Sequence, residues 1–293
     1  MSYDLHFYSK LGAPVPERDI RQYLNRLPHT TRTGHDSWFY RNEETGAYCA
    51  FDYSDPTFWE AMDEEDDSAG QRFTEFAATG FSFNVNYIRP QFFGKECFPL
   101  VARFASELNL FISNPQREGK PEAPDADALE AEWAGCNLRF SKIYMQQGGL
   151  SYLDQARSDY TWSFCFHRAE LQARLGNGYF VPSIFYIQPK GTQEVKTLAV
   201  WPEHIPYVLP RVDLVLIQRR AKRFFRTREE SGLISYDALL RKLHPHFEAQ
   251  SDYHIIHPQK AQEIGKTFNA LPLEGRLEEY GKGIALEHIV NVR

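Results

Sequence analysis

Residues 80–116, GFSFNVNYIRPQFFGKECFPLVARFASELNLFISNPQ, restrict the fold more than any other stretch of the chain. Phe81, Phe83, Val85 and Tyr87 alternate with Ser82, Asn84, Asn86 and Ile88, the period-two signature of a strand with one apolar face. Pro90 drives the residue before it out of the α region, so the strand stops there. From Lys95 onward, Phe98, Val101, Phe104, Ala105 and Leu108 recur at spacings of three and four, which predicts an amphipathic helix. Asn109 ends it, and residues 110–112 begin a second strand closed by Asn114-Pro115. The result is a strand-helix-strand unit with a large aromatic core. Asn84 and Asn86 fall on the face opposite the phenylalanines. The expectation is that helices cover that face and hold both amides in buried hydrogen bonds.

The rest of the first half extends this unit. Residues 3–8 (YDLHFY) read as a strand, and Pro14 and Pro16 lead into a short helix with Ile20, Leu24 and Leu27 on one face. Residues 37–40 and 47–53 read as two strands joined by RNEETG, where Gly46 fits a turn with positive φ. The predicted order is β-α-β-β-β-α-β with an acidic insertion, which resembles a ferredoxin-like split βαβ and leaves the topology around the insertion open. Residues 117–127 (REGKPEAPDAD) are charged and proline-containing, so the boundary falls there: an N-terminal α+β domain over 1–118 and a C-terminal one over 119–293.

The second half opens with a helix pair. Asp125 or Asp127 caps a helix to Gln147 with Leu129, Trp133, Cys136, Phe140 and Ile143 in one stripe, and Gly148-Gly149 stops it. A further helical stretch covers 152–175. An antiparallel or mixed sheet follows, with strands at 179–188, 195–201, 212–218 and 253–256 and a weak edge strand over 284–292. Helices fall at 235–243, capped by Ser235, and at 259–268. The stretch 202–210 reads as a stiff loop with three prolines.

The composition narrows the function. With 42% hydrophobic and 25% charged residues the chain can bury a full core. A net charge of -6 speaks against direct nucleic-acid binding, which leaves a basic footprint. No apolar run is long enough for a signal peptide or a membrane span, so the chain reads as cytoplasmic. Cys49, Cys97, Cys136 and Cys165 form no CxxC pair and read as reduced thiols.

Five polar features compete for a functional role. Asp63, Glu64, Glu65, Asp66 and Asp67 form an acid run just after Phe58, Trp59 and Glu60; it reads either as a docking patch for a basic partner or as a solvated loop. Arg219, Arg220, Lys222, Arg223, Arg226 and Arg228 surround Phe224 and Phe225, as a nucleic-acid contact or as pairing partners for acids. His244-Pro245-His246 and His254-x-x-His257 lack the third and fourth ligands of a zinc site, so no metal is assigned. Cys165 and His167 are close in sequence, but FCFHR reads as packed aromatics, and Cys97 reads as core. Asp213, set in an apolar strand, calls for a buried partner such as Arg89 or Arg211. GxSxG, GxxxxGK[ST], HExxH and GxGxxG are all absent, and no cofactor is implied.

YDLHFY, ETGAYCAFDY, FNVNYIRPQFFGKECFPLV and VPSIFYIQP…LAVWPEHIPYVLPRVDLVLI together resemble a group of bacterial cytoplasmic proteins from toxin–immunity loci, including immunity proteins of type VI secretion effectors. The shared motifs are aromatics, prolines and glycines, so they speak mostly of structure. The resemblance implies a non-enzymatic protein that binds a cognate toxin and blocks it. If that toxin is a nuclease with a basic cleft, the acidic balance suits it. Trp59, Glu60 and residues 63–67 are then the expected contacts. The alternatives are an enzyme with an unfamiliar site between the halves, and a self-associating structural or regulatory module. A monomer is the expected state.

Overall fold

The computed structural model describes residues 1–56, 73–117, 119–203, 205–223 and 226–293, with backbone alone at 221–223 and 226–228. It is an α+β protein of two compact units, Met1–Tyr144 and Met145–Arg293.

The first unit is a six-stranded antiparallel sheet with helices on one face. Its elements are β1 (Ser2–Lys10), α1 (Glu17–Arg26), β2 (Thr30–Arg32), β3 (Ser37–Arg41), β4 (Tyr48–Tyr53), β5 (Phe76–Asn86), α2 (Phe92–Glu107), β6 (Phe111–Ser113) and α3 (Ala126–Gln147). The strand order is β2-β3-β4-β5-β1-β6, which departs from the four-stranded ferredoxin-like order. What survives of that expectation is the split β-α-β: β5 and β6 flank β1 and are joined by α2. The departure has a local cause. β2, three residues and too short to show a period, extends the β3–β4 hairpin outward.

The alternation read from residues 81–87 holds. Phe81, Phe83 and Val85 are buried with Tyr3, Leu5, Phe7 and Phe51 beneath α1 and α2. Phe104 of α2 packs edge-on to Phe7 at 4.9 Å, and Phe98 packs at 5.6 Å from Tyr3. Such rings bury large area and lock their relative angles. Asn109 takes φ 52° after α2, and Gly46 takes φ 76° in its hairpin. Gly80, at φ 79°, allows β5 to bulge against β1; a Cβ there would overlap the Ser54 carbonyl and the Tyr53 ring.

The face with Asn84 and Asn86 corrects the expectation of fully buried amides. α1 and α2 carry the apolar face, and Asn84 and Asn86 are only half-buried. Asn84 Nδ2 donates to Asp52 Oδ2 at 3.0 Å, while Ser37 Oγ donates to Asp52 Oδ1 at 2.7 Å. The amide is therefore satisfied across strands, at a half-buried position. An antiparallel sheet tolerates such a half-wet face because its outward side chains alternate with the core.

The second unit contains β7 (Ser151–Tyr152), α4 (Gln155–Phe166), α5 (Arg168–Leu175), β8 (Ile184–Pro189), β9 (Lys196–Pro202), β10 (Tyr207–Pro210), β11 (Leu214–Arg223), β12 (Arg226–Ser235) and α6 (Tyr236–Leu243). It continues with β13 (Glu248–Ala249), β14 (Tyr253–Ile256), α7 (Pro258–Glu263), α8 (Gly265–Asn269), α9 (Leu277–Tyr280), β15 (Gly281–Gly283) and β16 (Ile289–Val290). The helix expected over 152–175 is broken. Tyr152 joins a two-stranded pairing with β16, Asp154 caps α4 by accepting from Arg157 N at 3.1 Å, and His167 leaves helical geometry. The stiff loop over 202–210 ends in a strand, β10, paired with β14. Ser235 sits at the cap of α6, but its hydroxyl donates to Glu274 instead.

β12-β11-β9-β8-β15 form a mixed sheet, parallel only between β11 and β9. Its inner face carries Ile184, Ala199, Trp201, Val215, Ile217 and Ile234 into a core with α4–α8. Trp201 anchors that core, stacked on Tyr207 at 4.8 Å and edge-on to Phe268 at 5.1 Å.

Candidate interaction surface

The outer face of the mixed sheet is also apolar, because these strands read as hydrophobic on both sides. Phe185 lies opposite Leu198, Leu198 beside Leu214, Val200 beside Leu216, and Leu216 opposite Leu233. Two-sided hydrophobicity is the pattern of strands buried on both faces. Among the described residues one end is roofed: Leu277 and Tyr280 of α9 pack against Ile187, Leu198, Leu214 and Leu233. Beyond α9 a groove of about 540 Å³ opens over Phe185, Leu198, Val200 and Leu216. Phe185 is 51% exposed. A large aromatic held open in an apolar groove is the sort of side chain that interfaces bury.

The same face turns polar toward the β11–β12 hairpin. A second depression of about 600 Å³ holds Glu203, Gln218, Arg220, Glu229 and Ser231. Glu203 accepts from Arg220 N at 2.6 Å. Arg219, on the inner side, is fixed to Glu230 at 2.9 Å and to the Phe268 and Leu271 carbonyls. So Arg219, from the basic cluster of the sequence, is structural, while Arg220 is exposed on the polar half of the surface. The Lys222, Arg223, Arg226 and Arg228 side chains, and Phe224 and Phe225, lie outside the described residues. So do Phe58, Trp59, Glu60, Asp63, Glu64, Glu65, Asp66 and Asp67, the partner contacts expected from sequence.

The remaining candidates are placed as follows. Asp213 has its partner, but neither Arg89 nor Arg211. Arg157 of α4 reaches Oδ1 at 3.2 Å, and the Thr197 amide and hydroxyl donate to Oδ2 at 2.8 and 2.9 Å. Arg89 is taken up by the Tyr48 hydroxyl, and Arg211 by the Ser251 carbonyl. Cys165 is core, and His167 Nδ1 faces the Ser163 carbonyl at 2.9 Å, so the two do not form a nucleophile–base pair. Cys97 is buried beside Cys49; the hydrogen bond between them, together with burial, raises its thiol pKa well above the ordinary range. None of the four cysteines is in a disulfide.

Among the described residues the histidines come together at most in a pair, His244 near His254. His254 lies on β14 against Tyr236, and His257 bridges Tyr179 Oη at 2.7 Å and Glu248 Oε2 at 2.8 Å. Carboxylate, imidazole and phenol in line are a proton-relay geometry. Yet this chain lies at the surface, lines none of the depressions described above, and ties the loop before β8 to β13 and β14. Among the described residues no group of three or more His, Cys, Asp or Glu is arranged to hold a metal ion. No described helix is long and apolar enough to cross a membrane.

Sequence reasoning missed the outer face. The signal was present in Phe185, Ile187, Leu198, Val200, Leu214 and Leu216, but apolar alternation alone does not tell which face lacks a cover. Compared with known proteins, the chain matches no family model, no curated protein and no solved structure.

Proposed function

We propose that this chain is a binding protein of the immunity type, which holds a partner protein against the outer face of its mixed sheet and blocks that partner's activity. The observation that carries the reading is the groove over Phe185, Val200 and Leu216, followed further along β9 and β11 by a separate charged depression at Glu203, Arg220 and Glu229. An apolar centre with a polar rim is how a protein–protein interface is built. The net charge of -6 favours a basic partner over a second copy, because two copies repel at long range. The resemblance of the sequence motifs to immunity proteins supports a toxin as that partner.

The test is titration of the full chain with the protein encoded by the neighbouring gene, followed by an assay of that protein's activity. Tight binding with loss of the partner's activity is expected. Phe185→Asp buries a charge in the contact and weakens it by at least about 2 kcal/mol, roughly thirtyfold. Because Phe185 is exposed, the variant keeps the stability of the parent. No complex at micromolar concentration refutes the reading. Concentration-dependent dimerisation in light scattering, abolished by the same variant, reassigns the face to self-association.

A further inference from the structure

We infer that the edge of the mixed sheet at Gly281–Gly283 is a site for strand addition by an extended peptide segment that alternates apolar and acidic residues. This rests on the binding role above and specifies how the partner engages. Two other sheet edges, those of β6 and β12, are closed by returning chain. Ile112 on the β6 edge exchanges two backbone bonds with Glu122, at 2.8 and 2.9 Å. Leu233 on the β12 edge donates to Gly275 O at 2.9 Å and accepts from Glu274 N at 2.7 Å. β15 ends the sheet on the opposite side, and among the described residues no strand pairs with its outer edge.

The hydrogen-bond register fixes what that edge offers. Lys190 N donates to Tyr280 O at 2.9 Å, and Ile284 N donates to Tyr186 O at 3.1 Å. In an antiparallel ladder, bonded pairs alternate. Residues 280, 282 and 284 therefore turn their main-chain groups toward β8, and Gly281 and Gly283 turn theirs away. The Gly281 N–H closes α9 on Leu277 O. The Gly281 carbonyl and both Gly283 groups remain directed outward. Gly283 is exposed, with nothing within 4 Å of the place a Cβ would take. Gly281 is required for a different reason: a Cβ there would collide with the Gln188 carbonyl. A bare edge of this kind is a template for another strand.

Depressions on both faces of the edge supply side-chain recognition. On the outer face the groove over Phe185 reaches Gly283, and a depression of about 780 Å³ wraps around the edge at Gly281–Gly283, between Leu277 and Glu278 on one side and Lys282 and Lys190 on the other. On the inner face a depression of about 420 Å³ holds Lys282 and His288. Alternate side chains of an added strand leave on opposite faces. One set meets Phe185 and Leu277, and the other meets Lys282 and His288. The preferred segment is therefore apolar on one side and carboxylate-bearing on the other.

The probe is a fluorescein-labelled heptapeptide of alternating valine and glutamate, capped at both ends, titrated into the full chain and read by anisotropy. Saturable binding is expected. N-methylation of alternate peptide amides removes main-chain donors and weakens binding by about tenfold or more. Replacing the glutamates by lysines weakens it by about fivefold, and Lys282→Glu reverses that preference. Gly283→Pro abolishes binding by removing the outward donor. The peptide variants need no change in the protein, so they decide the matter even if Gly283→Pro fails to fold. Equal binding of methylated and unmethylated peptides, or no binding up to about 1 mM, overturns the inference. If the neighbouring gene product binds through Phe185 but is indifferent to these changes, the edge site is refuted and the binding role stands. If the peptide binds and that product does not, the edge site stands and the assignment of partner falls.

Discussion

Replacing Asn137 by alanine isolates the clamp between α3 and the end of β5. Asn137 is 1% exposed. Its Oδ1 accepts from Ile88 N at 2.7 Å and from Arg89 N at 3.2 Å, and its Nδ2 donates to Arg89 O at 2.9 Å. These bonds hold Ile88 at φ 62°, a left-handed conformation that a β-branched residue adopts at a cost of about 1–2 kcal/mol. Alanine strips three backbone groups of their partner, at about 1–1.5 kcal/mol each. Relaxation of Ile88 returns about 1 kcal/mol, so a net loss of about 2–3.5 kcal/mol is expected. For a unit of this size that is a fall in Tm of about 5–15 °C. Urea unfolding followed by tryptophan fluorescence measures it, with Trp133, packed 6.1 Å from Phe98, as a reporter in the same unit. The double variant with Ile88→Gly is a second check. Glycine carries no strain at positive φ, so the two effects couple by at least about 0.5 kcal/mol. A loss under about 1 kcal/mol for Asn137→Ala, with strict additivity in the cycle, refutes the idea that this amide enforces the turn.

Two further outcomes follow from the second unit. Asp213→Ala leaves the Thr197 amide and hydroxyl and the Arg157 guanidinium without their acceptor; a loss of about 2–3 kcal/mol in the urea-derived stability is expected, and Asp213→Asn falls between. His254 titrates below its ordinary range because burial, then the charges of Arg211 and His244, disfavour the imidazolium. The unfolded chain takes up that proton more readily, so stability is full above about pH 6.5 and falls as the pH drops through the lowered folded value. His254→Gln flattens that part of the stability-versus-pH curve, and an unchanged slope contradicts the account.

The legible parts of this protein were those set by local pattern. Phe81, Phe83 and Val85 marked the core face of β5, Gly46 marked its left-handed turn and Asn109 the end of α2, because each depends on a few neighbouring residues. Long-range partners were not legible. Asp213 announced a need, but nothing in the sequence pointed to Arg157, which the fold brings up from α4. Asn84 announced a second face on β5, and the period-two pattern does not say what lies over it. The same gap hid the candidate surface: Phe185 sits in an apolar run that reads as fully buried, and only the arrangement of β8, β9 and β11 leaves it 51% exposed. Gly281-Lys282-Gly283 carried no strand signal, because glycines pair through backbone that periodicity does not register.

The central claim, that the outer face of the mixed sheet receives a partner protein, is tested most directly by amide hydrogen exchange of the full chain with and without the neighbouring gene product. The account predicts slowed exchange concentrated in β8, β9 and β15, with that protection lost in Phe185→Asp. Protection confined to the polar face of the first unit, around Asp52 and Asn84, or no change anywhere at saturating partner, contradicts it.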